Sequence, residues 1–199
     1  MILLAAVLVA LIIGIVTGGS LSRLGRLPLR LLWLPILGFG LQIYMIYWPS
    51  ATAPALLSLH TGVLVASYLL LLWFIWINRR TIGVLVMGVG LLMNLTVMLA
   101  NGGYMPITPE AVRSVGHEYE LSSWEAGSRL RNTKDVLLPR EQSSLWFLSD
   151  LFVVRRPFPI PSVFSPGDAV LTLGASLLIL VGMHRDTDDA EAPTTNNGE

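Results

Sequence analysis

Gly83, Met87, Gly90, Asn94, Val97 and Asn101 recur at alternating spacings of four and three, which places all six on one face of a helix. Glycines on such a face let a second helix approach closely, and an asparagine within an apolar helix needs a hydrogen-bond partner. Two arrangements fit. One is a polar pocket floored by Asn94 and rimmed by Asn101; the other is a tight helix interface joined by one interhelical hydrogen bond, the commoner use of a small-residue face. Asn101-Gly102-Gly103 carries a similar choice. Its glycines allow backbone N–H groups to converge on a phosphate or carboxylate, and they equally allow a helix C-cap with left-handed residues. With the cap, Tyr104-Met105-Pro106 folds back over the bundle. His60 and Gln42, on neighbouring apolar stretches, are candidate partners for Asn94 or Asn101. Together with Tyr104, Pro106, Asp150 and Asp168 these residues form the candidate pocket or interface.

Other chemistry is thinly supplied. Asp135, Asp150 and Asp168 are the carboxylates available for general acid–base work, but Asp168 suits a helix-capping role, and Asp150 suits pairing with Arg129, Arg155 or Arg156. His117 lies beside Glu118 and Glu120 without the H-E-x-x-H spacing of a zinc site, and reads as a solvated loop cluster. There is no cysteine, and no G-x-S-x-G elbow or glycine-rich phosphate loop is present. No catalytic residue, metal or cofactor is expected.

The elements that must position these residues are apolar. Of 199 residues, 53% are hydrophobic and 13% charged, with a mean hydropathy of +0.66. All 13 acidic residues lie at or beyond Glu110. That balance excludes an ordinary soluble enzyme and a basic nucleic-acid binder. Five stretches approach the roughly 20 apolar residues that a bilayer requires: 1–17, 31–48, 55–77, 81–100 and 166–183. None contains Lys or Arg, and Asp168 is their one acid. The expected fold is an all-α integral membrane protein with five transmembrane helices. Arg23, Arg26 and Arg30 follow the first stretch and Arg79 and Arg80 the third, so the positive-inside rule sets the N-terminus outside and the C-terminus inside. Tyr44, Tyr47 and Trp48 then belt the outer membrane face, and Trp73 and Trp76 the inner one. Residues 1–185 form one membrane domain, and 186–199 an acidic cytoplasmic tail with nothing to bury.

The long outer segment, 101–165, is partly helical in this reading. Thr108-Pro109-Glu110 starts a short helix that Gly116 stops; Ser122-Ser123-Trp124-Glu125 fits a capping box. Residues 143–153 have the pattern of an amphipathic helix lying in the headgroup region. Prolines from 157 to 161 form an extended strap back to the bilayer, and Ser165-Pro166-Gly167-Asp168 opens the last helix as another capping box.

Asn101-Gly102-Gly103-Tyr104-Met105-Pro106 resembles the NGG-x-MP signature of a bacterial membrane-protein family, domain of unknown function 5317. Leu148-Ser149-Asp150 and Val163-Phe164-Ser165-Pro166-Gly167-Asp168 resemble two further blocks of that family, which more often has an aliphatic residue where Pro166 stands. The resemblance implies a multi-pass membrane fold and supplies no activity. Two function classes remain. The first is a non-catalytic subunit, assembly factor or scaffold of a plasma-membrane (inner-membrane) complex, contacting membrane lipids and a membrane-protein partner but no nucleic acid. The alternative is a lipid- or isoprenoid-handling enzyme or small-solute binder with its site at the outer helix ends. The absence of ionisable residues at mid-membrane depth argues against an ion-coupled carrier.

Overall fold

The computed structural model describes residues 2–47, 58–116, 125–130, 133–155, 157 and 161–185. Its helices are α1 (Ile2–Val16), α2 (Leu21–Gly25), α3 (Trp33–Tyr47), α4 (Leu59–Ile77), α5 (Ile82–Ala100), α6 (Pro109–Ser114) and α7 (Pro166–His184). Among the described residues, α4, α5 and α7 are 19 residues long and apolar enough to cross a membrane. The five comparable spans read from the sequence become three of that length and two of 15 residues, α1 and α3. Fifteen residues rise only about 22 Å. Local geometry explains the shortening. After Val16 the Thr17 hydroxyl turns back to the Ile13 carbonyl at 2.7 Å and Gly18 takes a positive φ of 86°. Leu31, at a φ of 57°, delays the start of α3 to Trp33.

The apolar helices stand in a row, α3 against α4, α4 against α5, α5 against α7, and α7 against α1. The most extensive contact is α5 with α7, and glycine makes it possible. A methyl group on Gly83 would lie 2.6 Å from the Leu178 nitrogen; on Gly90, 2.5 Å from the Gly167 carbonyl oxygen; on Gly174, 2.5 Å from the Met87 nitrogen. The two backbones therefore touch, where ordinary side chains would hold them apart. At one end of the row α1 is tied to α7 by the His184 ring, which lies 3.1 Å from the Thr17 hydroxyl. At the same end the Asn78 side chain accepts from the Arg30 N–H at 2.8 Å and donates to the Arg30 carbonyl at 3.0 Å, fixing the approach to α3.

The opposite end carries the outer segment as a small folded cap. The fold is mostly helical, as the all-α expectation has it, but among the described residues the partly helical cap also contains four three-residue strands. β1 (Met105–Ile107) pairs in parallel with β2 (Asp135–Leu137), and β3 (Phe152–Val154) pairs antiparallel with β4 (Ser162–Phe164). Ile107, Ala111, Val112, Leu130 and Leu137 form a buried core of their own beneath these ladders. The expected helix over 143–153 does not form. Two 3-10 turns, Arg140–Gln142 and Trp146–Leu148, flank Leu145 in a left-handed conformation (φ 54°), and the chain then enters β3. The Asp150 N–H bonds to the Pro106 carbonyl at 3.1 Å, a cross-chain bond that competes with a helical one. The proline-flanked return is likewise the second arm of a ladder: Ser162–Phe164 pairs with Phe152–Val154. Thr108 caps α6 as expected, its hydroxyl accepting from Ala111 N–H at 3.3 Å. The 49–54 link, Trp48, the His117–Glu118–Glu120 cluster, the 122–124 part of the capping box, Arg156, residues 158–160 and the 186–199 tail lie outside the described residues.

Candidate functional site

The chemistry-bearing residues meet where the cap sits on the helix ends. Asn94, 2% exposed, donates from Nδ2 to Asp168 Oδ1 at 2.7 Å and accepts at Oδ1 from the Ser165 hydroxyl at 2.8 Å. Ser165 and Asp168 also cap α7 reciprocally, Asp168 N–H to Ser165 Oγ at 3.0 Å and Ser165 N–H to Asp168 Oδ2 at 3.3 Å. One asparagine thus joins the wall of α5 to the first turn of α7. Gly167 must lack a side chain because a methyl group there would collide with the Asn94 carboxamide.

Seven residues on, Asn101 grips the cap. Its Nδ2 donates to the Val97 carbonyl at 2.7 Å and the Ser144 carbonyl at 2.8 Å, and its Oδ1 accepts from the Ser144 N–H at 3.0 Å. That double hold on one residue's backbone explains why the chain bends at Leu145. Asn101-Gly102-Gly103 forms a helix C-cap, with Gly102 and Gly103 at positive φ (71° and 92°) and the Gly103 N–H bonded to the Met98 carbonyl at 2.8 Å. The turn leaves the Gly102 carbonyl accepting from the Thr61 hydroxyl at 3.2 Å and delivers Tyr104 onto His60, the two rings stacked at 4.1 Å and 7°. His60 and Gln42 therefore do not bond Asn94 or Asn101. His60 pairs with Tyr104, and Gln42 donates to the Ser67 hydroxyl at 3.4 Å. Arg129 crosses over the Tyr104 ring at 5.8 Å and donates to the carbonyls of Met45 and Ile46 (2.9 and 3.2 Å), fastening the cap to the end of α3. Arg155 reaches the Ser114 hydroxyl at 3.3 Å.

Beneath this clasp lies a charge cluster that motif reasoning did not reveal. Lys134 is within electrostatic range of Tyr68, Asp168, Asp150 and Asp135. Burial disfavours its charge, but the summed pull of those four groups outweighs burial and holds its pKa above the ordinary lysine value. For the acids, burial dominates. It pushes the Asp135 carboxyl up to about 6, against the opposing pull of Lys134. Asp150 lies well above the usual carboxylate range because it is buried and faces Asp135. Among the described residues Asp150 Oδ1, the Tyr104 hydroxyl and His60 Nε2 are buried without a hydrogen-bond partner. A cavity of about 20 Å³, lined by Gln42, Met45, Ile46, His60, Leu64, Arg129 and Lys134, opens beside the His60 ring. That is room for about one water. Among the described residues no group of three His, Asp or Glu side chains converges to hold a metal.

Sequence reasoning missed Lys134 and Asn78. Lys134 had a signal: it is the one lysine among 13 basic residues. The geometry supports rigid fastening, and among the described residues it gives no nucleophile–base pair. No curated protein and no solved structure matches the chain. Over residues 26–180, which include α3, α4, α5, the whole cap and most of α7, the sequence matches the family of unknown function DUF5317, and the chain belongs to that family.

Proposed function

We propose that this protein is a non-catalytic membrane subunit or scaffold whose cap is a rigid platform for a membrane-protein partner. The observation that carries this reading is the consumption of the polar side chains around the junction of cap and helices in structural fastening. Asn94, Asn101 and Arg129 each bond to structural partners on a second element. The cavity beside Arg129 holds about one water, whereas sites for organic ligands run to roughly 300–1,000 Å³. In this reading α1 and α3 cross the bilayer with the three longer helices, giving five passes in the plasma membrane. The arginine-bearing end faces the cytoplasm and the cap faces outward, because Arg23, Arg26, Arg30, Arg79, Arg80 and Arg185 all flank the same ends of the row.

The alternative, binding of a small polar solute or lipid headgroup at the cap, draws support from three buried polar atoms, on Asp150, Tyr104 and His60, that have no hydrogen-bond partner among the described residues. The two are separated by intact mass in a mild detergent. A scaffold runs as a stoichiometric complex heavier than the 21.8 kDa chain, and Asn101→Ala, which frees the Ser144 segment, releases the partner while the chain stays in the membrane. A monomer carrying a small molecule and no protein would overturn the scaffold reading.

A further inference from the structure

The end of the row opposite the cap contains an open crevice of about 590 Å³ between α5 and α7. Leu27, Ile82, Leu177, Leu178 and Val181 give it an apolar wall, while Arg80, Arg185 and His184 stand on its rim. Among the described residues neither the Arg80 nor the Arg185 guanidinium has a protein partner, in contrast to Arg79, which donates to the Trp76 carbonyl at 2.9 Å and lies over the Trp76 ring at 4.5 Å. No acidic residue precedes Glu110, so nothing in α1 to α5 or their connections neutralises this rim.

We propose that this crevice binds one anionic phospholipid from the adjoining leaflet, its phosphate between Arg80 and Arg185 and the upper part of an acyl chain along Leu177, Leu178 and Val181. Charge complementarity selects the headgroup, since a pair of arginines at the end of apolar helices attracts anionic lipid over zwitterionic lipid. The apolar wall selects lipid over free phosphate, which would leave those side chains against water. Glycine shapes the groove: Gly83 and Gly182 lie in its floor, and a methyl group on Gly182 would meet the Leu27 side chain at 2.8 Å. The chain's own Asp186, Asp188, Asp189 and Glu191 follow Arg185 directly and are the competing source of negative charge.

The full-length protein, exchanged into phosphatidylcholine micelles and titrated with phosphatidylglycerol, should retain one phosphatidylglycerol per chain by native mass spectrometry and melt at a higher temperature. The double variant Arg80→Gln/Arg185→Gln should weaken retention roughly thirtyfold, at about 1 kcal/mol per arginine. Arg23→Gln/Arg26→Gln, at the same end but off the crevice, should retain the lipid nearly as the parent does. Equal retention of the two lipids would overturn the proposal, as would equal losses in the two double variants, which would mean a diffuse charged surface. Displacement by millimolar inorganic phosphate would assign the rim to free anion. Binding that emerges only when the four tail acids are changed to Asn and Gln would make the tail the occupant.

Discussion

Replacing Gly83 and Gly90 together by valine should separate α5 from α7 and cost at least about 3 kcal/mol of stability in lipid, the upper end of what overpacking in a filled interface costs. The size of the effect follows from what the new side chains would strike. At Gly83 the nearest atoms are the Leu178 backbone nitrogen and the Gly174 carbonyl oxygen, at 2.6 and 2.8 Å; at Gly90 they are the Gly167 carbonyl oxygen and the Leu171 nitrogen, at 2.5 and 2.6 Å. Backbone cannot rotate aside as a side-chain tip can, so the helices must part along their length. Parting also stretches the Asn94 bonds to Asp168 and Ser165 and loosens the cap. Gly40→Val is the matched control, because nothing lies within 4 Å of a methyl group there. Thermal melting in nanodiscs should place the double variant far below the control, and coincident melting curves would contradict the close α5–α7 contact.

Lys134→Met should be comparably damaging at neutral pH, at the lower end of roughly 3–5 kcal/mol, since it leaves the buried Asp150 and the half-buried Asp135 without their cation. The loss should shrink on acidification. Asp135 and Asp150 already hold their protons above the ordinary carboxylate range in the folded protein, through burial first; Lys134 opposes the rise at both, while repulsion from Asp168 adds to it at Asp135 and repulsion from Asp135 adds to it at Asp150. Removing Lys134 pushes both higher still. A carboxyl whose folded pKa is raised binds a proton that the unfolded chain has released, so its contribution to stability is full below about pH 4 and falls as pH rises through the folded pKa. In the parent chain that window for Asp135 runs from about 4 to about 6. The methionine variant should therefore approach the parent's melting temperature near pH 5 and fall away from it toward pH 8. Adding Asp135→Asn should flatten that dependence. A deficit that does not change with pH would mean that Lys134 matters for packing alone.

How much of this was legible follows the range over which each feature is determined. The apolar runs and the face shared by Gly83, Gly90 and Asn94 are periodic signals within one helix, and α7 packs on that face. The caps at Thr108 and Ser165 and the glycine stop after Asn101 are set within four residues of themselves, and each forms as its local chemistry dictates. The strands were illegible because three residues are too few to show an alternation of period two. The helix read over 143–153 has the right apolar spacing, but Asn101 holds the Ser144 backbone and Pro106 takes the Asp150 N–H, and these long-range bonds outweigh local propensity. The gathering of Lys134, Asp135, Asp150 and Asp168 spans three separate stretches of chain, and only the folded cap brings them together. Their spacing in the sequence carries no trace of it.

The claim on which the rest depends is a membrane-embedded row with its folded cap outside. The chain contains no cysteine, so single cysteines report without background. Gln142, exposed on the cap, and Ser22, exposed between α1 and α3, occupy opposite ends of the row. With a membrane-impermeant thiol reagent on intact cells, Gln142→Cys should be labelled at once and Ser22→Cys only after the membrane is opened. Labelling of Ser22→Cys with protection of Gln142→Cys would invert the orientation, and immediate labelling of both would mean that one of α3, α4 and α5, the three helices between the two sites, does not cross.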